Sequence, residues 1–279
     1  MAQPTLDLEN FAKQIRYYTL KELDTLGFGH YGGSLSIVEC LAVLYGKEMN
    51  VDPKNSQKED RDFFVLSKGH AGPALYATLY LKGYLTLDEL YSLNQNGTSL
   101  PSHPDMNKTN GVDATTGSLG QGVSVATGIA YGNRVKGLSN YTYCIVGDGE
   151  LGEGQCWEAL QFASSRNLTH LVIFIDNNQK QLDGYTKDIA PQDQLKEKME
   201  AFGFHCEDID GGSLEAIDSA IQKAKATKDR PTVIVLNTTK GQGVPYIEKL
   251  ESNHHLRPTA DDKKAIAEAI ALLAEEIGG

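Results

Sequence analysis

The chain has 279 residues, 40% of them hydrophobic, with 28 glycines and a net charge of −11. That fits a globular, turn-rich α/β protein and excludes the basic surface a nucleic-acid partner needs. No apolar run reaches membrane-spanning length and Met1 to Asn10 lacks a signal-peptide core, so the chain is expected to be cytoplasmic and to stay off membranes. In chain order, Phe11 to Leu26 carries apolar residues at helical spacing and ends at Gly27, a C-terminal cap. Ser34 is a candidate N-cap for a helix running to about Lys47. Phe63 to Leu66 predicts a short strand, followed by the turn Ser67-Lys68-Gly69-His70 and a helix to about Lys82. Gly120 to Lys136 predicts a helix whose Gly and Ala content suggests close packing against a neighbour. Tyr141 to Val146 and Leu171 to Ile175 read as buried strands around a helix from Leu151 to Arg166. Phe204 to Ile209 and Thr232 to Thr238 add two strands around a helix from Leu214 to Ala226. Asp261 to Ile277 predicts an amphipathic terminal helix, expected to pack on the domain surface. Alternating strands and helices predict a doubly wound, mostly parallel sheet with helices on both faces. There is no linker or repeat, so residues 1–279 are expected to form one domain.

The densest chemistry lies between Gly147 and Asn178. Gly147 and Gly149 bracket Asp148 where a strand turns toward a helix, and Asp176-Asn177-Asn178 closes the next strand. Asp148 and Asn178 are therefore expected at the carboxyl ends of two strands, where open α/β sheets hold ligands. A carboxylate and an amide oxygen suit a hard cation such as Mg2+, or Ca2+ or Mn2+, that shares its shell with phosphate oxygens. The Gly-rich turn offers backbone N–H groups to the same phosphates. The four cysteines, Cys40, Cys144, Cys156 and Cys206, show no Cys-x-x-Cys spacing. Cys40 and Cys144 read as core thiols, and packing is the favoured reading of Cys156.

Of the seven histidines, His30, His70, His103, His254 and His255 fall in turns rather than on apolar faces. Imidazoles gathered there could donate to sugar oxygens and move protons near neutral pH. Glu153 and Glu158, five positions apart on one helix, read either as solvated charges or as a carboxylate network at a subunit interface.

Gly147-Asp148-Gly149 followed by Asn177-Asn178 resembles the Gly-Asp-Gly…Asn-Asn signature of thiamine diphosphate enzymes. The turns Gly29-His30-Tyr31-Gly32, Leu66-Ser67-Lys68-Gly69-His70 and Ser102-His103-Pro104-Asp105, with Thr115-Thr116-Gly117-Ser118-Leu119-Gly120-Gln121-Gly122, narrow the likeness to transketolases. It runs from about Phe11 to Asp262. The resemblance implies the diphosphate-binding type of the thiamine diphosphate-binding fold. Asp148, Asn178 and the Lys180 main-chain carbonyl would then hold the metal. His70 and Gly149 would contact the diphosphate, with Gly147 and Glu150 in the same cofactor-binding turn as Gly149. Gly117 and Leu119 would lie against the cofactor, Leu119 near the aminopyrimidine. His30 and His103 would face substrate hydroxyls, with His254 the best match to the family's late substrate-side histidine and His255 its close rival. Glu153 and Glu158 would belong to the family's interface carboxylates.

Family transketolases are more than twice this length, and their second domain grips the pyrimidine ring and supplies the activating glutamate. The chain therefore resembles the N-terminal subunit of a split transketolase. With a separate C-terminal subunit carrying the pyrimidine-binding domain, an α2β2 assembly is expected to pass a two-carbon ketol unit from a ketose phosphate to an aldose phosphate. The final helix and Gly278-Gly279 favour a natural terminus. Competing readings are the α subunit of a 2-oxoacid dehydrogenase, a deoxyxylulose phosphate synthase type, and a non-catalytic cofactor-binding scaffold.

Overall fold

The computed structural model describes residues 6–278. Helix α1 (Leu8–Leu26) opens three residues earlier than its periodicity predicts, because the Asp7 carboxylate accepts from the Glu9 and Asn10 N–H groups. Gly27 closes it at φ 83°, a conformation that favours glycine.

The single helix expected from Ser34 to Lys47 is corrected to three pieces. These are α2 (Gly32–Leu35), α3 (Val38–Val43) and a π-helical turn over Leu44–Glu48. Ser34 is no cap: it lies inside α2, and its hydroxyl donates back to the His30 carbonyl at 2.6 Å. The break falls beside Ser36, whose hydroxyl donates to the distant Asp176 carboxylate at 2.7 Å.

Next come β1 (Phe63–Leu66), α4 (Gly72–Leu81), a single-turn α5 (Leu87–Leu90), α6 (Gln121–Val135) and β2 (Thr142–Gly147). The helix expected from Leu151 starts only at α7 (Gly154–Ser165), after a 3-10 turn over Gly149–Gly152. That turn carries the Glu150 carboxylate inward, which a helix begun at Leu151 would not do. Strand β3 (Leu171–Asn177) is followed by a small hairpin of β4 (Lys180–Gln181) and β5 (Gly184–Tyr185), then α8 (Thr186–Ile189) and α9 (Leu195–Ala201). The chain continues through β6 (His205–Asp210), α10 (Leu214–Ala226), β7 (Thr232–Asn237), α11 (Pro245–Lys249) and α12 (Ala260–Glu276).

The main sheet is parallel throughout, in the order β1-β2-β3-β7-β6. Tyr143, Ile145, Val172, Phe174, Ile234 and Leu236 enter one core, which α1, α3, α4, α10 and α12 cover. Cys144, Val146, Ile173, Ile175, Val233 and Val235 alternate into a second core under α6, α7 and α9. Strands buried on both faces read as near-continuous apolar runs, which is why β1, β2, β3 and β7 were visible in the sequence, whereas the edge strand β6 is charged and only partly buried. Each such side chain contributes roughly 1.5–3 kcal/mol by leaving water. All four cysteines are buried and free. Helix α12 packs along α1 as expected, burying Ile266, Ile270 and Leu273. No described helix is long and apolar enough to cross a membrane.

The close approach expected of the Gly-rich helix is local to one residue. A Cβ on Gly122 would stand 2.5 Å from the Ser67 Cα, so α6 meets the end of β1 backbone to backbone. The register pairs Gly147 with Asp176 and Asn177 with Asn237. Asp148, Asn178 and Thr238 consequently emerge side by side at the carboxyl edge of the sheet.

Candidate active site

The floor of this edge is a buried ion pair. Lys68 Nζ stands 2.5 Å from Asp176 Oδ2, and the two side chains are 1% and 0% exposed. A pair so deep is stable only when its remaining valences are filled. They are: Lys68 also donates to the Gly33 carbonyl at 2.7 Å, and Asp176 accepts from Ser36, Asn178 and Thr238. Burial alone would raise the Asp176 carboxyl, but the Lys68 charge and these donors hold it below the usual carboxylate range.

Above that floor lie three oxygens. Asp148 is 2% exposed, and its carboxylate accepts from the Gly149 N–H at 2.7 Å and the Gln179 N–H at 2.6 Å. Burial, and then the nearby Asp176 charge, push its carboxyl up to about 6. The Asn178 amide nitrogen is committed to Asp176 at 2.6 Å, which fixes the amide so that its oxygen accepts from the Lys180 N–H at 3.1 Å. The Lys180 carbonyl accepts from Lys240 Nζ at 2.7 Å. Each oxygen keeps lone-pair capacity, and an all-oxygen set of one carboxylate, one amide and one carbonyl suits a hard divalent cation. Among the described residues no cluster of three or more His, Cys, Asp or Glu side chains could hold a metal, so any cation here depends on such mixed donors.

The histidine turns converge on the same place. The His30 ring centroid lies 5.7 Å from His70, 5.5 Å from His103 and 5.3 Å from His254, and His70 lies 4.6 Å from His254. These imidazoles line a hollow of about 360 Å³ together with Asp148 and Asn178. Burial, and after it the neighbouring positive charges, push His30 down to about 4 and His254 to about 3. His70 falls well below its ordinary value for the same reasons, and burial lowers His103. At neutral pH the imidazoles are uncharged, each able to donate at one nitrogen and accept at the other. His255 is exposed on the outer side of His30, 4.7 Å away, with Phe28 beyond it at 6.0 Å.

The other expected residues divide. Gly117 faces the hollow at φ 135°, where a Cβ would meet the His103 ring at 3.0 Å. A Cβ on Gly149 would strike Gln181 at 2.8 Å, so both turns pack against neighbouring side chains too closely for a residue larger than glycine. Leu119 lines the rim at 37% exposure, an apolar surface facing the opening. Gly147 lies at the hollow's base, and Glu153 at its edge where α7 begins. Glu150 lines the hollow too, but its carboxylate is turned inward and accepts from the Ser67 hydroxyl at 2.6 Å, the Gly120 N–H at 2.9 Å and the Gly147 N–H at 3.1 Å. It clamps three turns together. Glu158 is exposed on α7 and does not reach the hollow.

Sequence reasoning passed over Lys240. It is 3% exposed, contacts His254 Nδ1 at 3.1 Å, and is pushed down to about 8 by burial and then by the Lys68 charge. Its signal in the sequence was its place in Thr238-Thr239-Lys240-Gly241, a glycine turn directly after a buried strand. Lys68 and Asp176 lay inside recognisable motifs, but their pairing across 108 positions was not readable.

A family model described as the thiamine diphosphate-binding domain of transketolase matches residues 8–274. The chain is 49% identical to the 6-deoxy-6-sulfo-D-fructose transketolase subunit of Clostridium sp. strain MSTE9, covering 99% of each chain. It is 37% identical to an apulose-4-phosphate transketolase subunit of Actinobacillus succinogenes, over 95% of this chain and 96% of that one. Among solved structures, transketolase from Campylobacter jejuni superposes with a TM-score of 0.88 at 30% identity. That match covers 95% of this chain but 42% of the other, so the chain spans less than half of this longer relative.

Proposed function

The chain belongs to the transketolase family through its thiamine diphosphate-binding domain, and from that premise we propose how its residues divide the work. It is a transketolase subunit of half length, and a second subunit completes the enzyme. The observation that carries the site assignment is the meeting of four neutral imidazoles and the Asp148, Asn178 and Lys180 oxygens in one hollow.

Asp148, Asn178 and the Lys180 carbonyl would hold Mg2+ or a similar divalent ion, and His70, Gly149 and Lys240 would face the cofactor diphosphate. Gly117 and Leu119 would lie against the cofactor, and Gly147 and Glu150 keep the turn in shape. When bound, thiamine diphosphate supplies the nucleophilic carbon that takes up the two-carbon unit. His30, His103 and His254 donate to substrate hydroxyls and carry protons between ketose and aldose oxygens. Their depressed basicity keeps them uncharged for both tasks.

The partner is a separate chain carrying the pyrimidine-binding domain, in an α2β2 assembly located in the cytoplasm. Glu158 and Phe162 are one turn apart on the same exposed face of α7, and Phe162 packs edge-on against the exposed Tyr131 of α6 at 5.5 Å. This face supports a subunit contact that includes Glu153 and Glu158. Residues 1–279 act as one domain. The donor is a ketose with a terminal phosphate or sulfonate, a choice supported by the substrates in the relatives' names.

Co-purification with the partner followed by a ketol-transfer assay tests the reading. We expect thiamine diphosphate- and Mg2+-dependent transfer by the pair, with Asp148→Ala weakening cofactor binding at least about tenfold. A pair that binds cofactor but transfers nothing would make the chain a scaffold.

A further inference from the structure

His30, Lys240 and His254 line the hollow from three separate turns, and a residue outside the lining joins those turns. Asn253, directly before His254, is 2% exposed. Its amide nitrogen donates to the Lys240 carbonyl and to the Ile247 carbonyl of α11, both at 2.9 Å. Its own main-chain carbonyl accepts from the Gly32 N–H at 2.9 Å, and the Gly32 carbonyl accepts from the Gly241 N–H at 3.0 Å. A Cβ on Gly32 would stand 2.5 Å from that Asn253 oxygen and 2.9 Å from the Lys240 side chain, so the turns meet with no room for a side chain between them. The segments carrying His30, Lys240 and His254 therefore form one hydrogen-bonded junction.

The junction closes on itself. From the main chain that Asn253 holds, the Lys240 ammonium reaches back to His254 Nδ1 at 3.1 Å and across to the Lys180 carbonyl at 2.7 Å. An ammonium only donates, so the neutral imidazole accepts at Nδ1. Lysine carries its charge on a flexible four-carbon stem, so the seat of its main chain decides whether the ammonium can make both contacts at once. Asn253 supplies that seat, and its two bonds are the side-chain hydrogen bonds that tie the Lys240 turn to the His254 turn and to α11.

We propose that Asn253 is a positioning residue for cofactor binding: by clamping the Lys240 turn against the His30 and His254 turns, it holds the Lys240 ammonium where the diphosphate is received. This deepens, and rests on, the reading of Lys240 as a cation facing the cofactor diphosphate. Asn253 acts through Lys240 alone and lies outside the hollow itself. Its removal leaves the Lys240 charge in the protein but frees the main chain that aims it.

The test is thiamine diphosphate affinity, measured by isothermal titration of the reconstituted two-subunit enzyme at saturating Mg2+. Asn253→Ala is expected to weaken binding roughly fivefold to twentyfold, a share of the loss expected from Lys240→Met. Asn140→Ala is the matched control. Asn140 is 6% exposed, and its amide nitrogen also donates to two carbonyls, Glu59 at 2.8 Å and Arg61 at 2.7 Å, ahead of β2 at the opposite edge of the sheet. Both variants lower Tm, but Asn140→Ala leaves cofactor affinity within about twofold of wild type. In the Lys240→Met background Asn253→Ala adds less than about twofold, because the group it positions is gone. Asn253→Ser keeps one hydroxyl donor, is expected to recover part of the affinity, and gives the same reading should the alanine chain not assemble. Unchanged affinity in the Asn253 variants, an equal loss from Asn140→Ala, or full additivity with Lys240→Met overturns the positioning role. Wild-type affinity in Lys240→Met overturns the diphosphate reading of Lys240, and this proposal with it.

Discussion

Lys240 is expected to set how much negative charge the hollow accepts. It is the buried cation whose contacts, a carbonyl and an imidazole, are both uncharged, whereas Lys68 is neutralised by Asp176. An ammonium in that position costs desolvation, visible in its depressed basicity, and an anionic ligand would relieve that cost. Lys240→Met is therefore expected to weaken thiamine diphosphate binding to the assembled enzyme by roughly tenfold to a hundredfold. Isothermal titration with the cofactor measures this, and an unchanged affinity would remove Lys240 from the diphosphate wall. Glu150 shows the opposite arrangement, a charge whose three donors all belong to the protein and which shapes the turns instead of meeting a ligand.

At the scale of elements, the contact between α6 and β1 sets the position of the turns on both sides of the hollow. Ser67 accepts from the Val123 N–H at 3.1 Å and donates to Glu150, so the seat of Gly122 and the Glu150 clamp are one structure. Gly122→Val is expected to destabilise the fold by about 2–4 kcal/mol, since the new methyls meet backbone that cannot move aside. Gly128 on the same helix meets nothing within 4 Å among the described residues, and Gly128→Ala is expected to stabilise by about 0.5–1 kcal/mol. Urea unfolding of the two variants makes the comparison. Similar effects from both would mean that α6 is not seated through Gly122. The broken α2–α3 segment follows the same principle, a distant carboxylate outweighing local helix propensity.

Across the whole molecule, two sets of buried titratable groups pull stability in opposite pH directions. Glu22 is fully buried without a hydrogen-bond partner among the described residues, and burial raises its carboxyl well above the ordinary value. Its contribution is complete below the unfolded carboxyl pKa of about 4.3 and is lost as pH rises toward the folded value. His30, depressed to about 4, contributes fully above the unfolded imidazole value of about 6.5 and loses that contribution as pH falls toward 4. Glu22→Gln should therefore raise Tm more at about pH 8 than at about pH 5, and His30→Asn should flatten the acid limb between about pH 6.5 and about 4. Parallel Tm–pH curves for wild type and both variants would refute the assignment.

The sequence by itself determined the class of fold, the Asp148 and Asn178 turns and the histidine turns, because buried parallel strands and glycine-bracketed turns are local patterns. It also carried the family likeness. Only the tertiary structure decided where the segment after Ser34 breaks, that Glu150 turns inward and that Lys240 enters the hollow. It alone placed His254 in the hollow and left His255 exposed beside His30. Each of these depends on a partner far along the chain: Asp176 for Ser36, Ser67 for Glu150, Lys180 for Lys240, and Gly29 for the segment at Leu256. A local pattern records which elements a segment can form. Which buried group satisfies which is decided only when the elements pack, because an unpaired buried charge or donor costs more than a turn of helix.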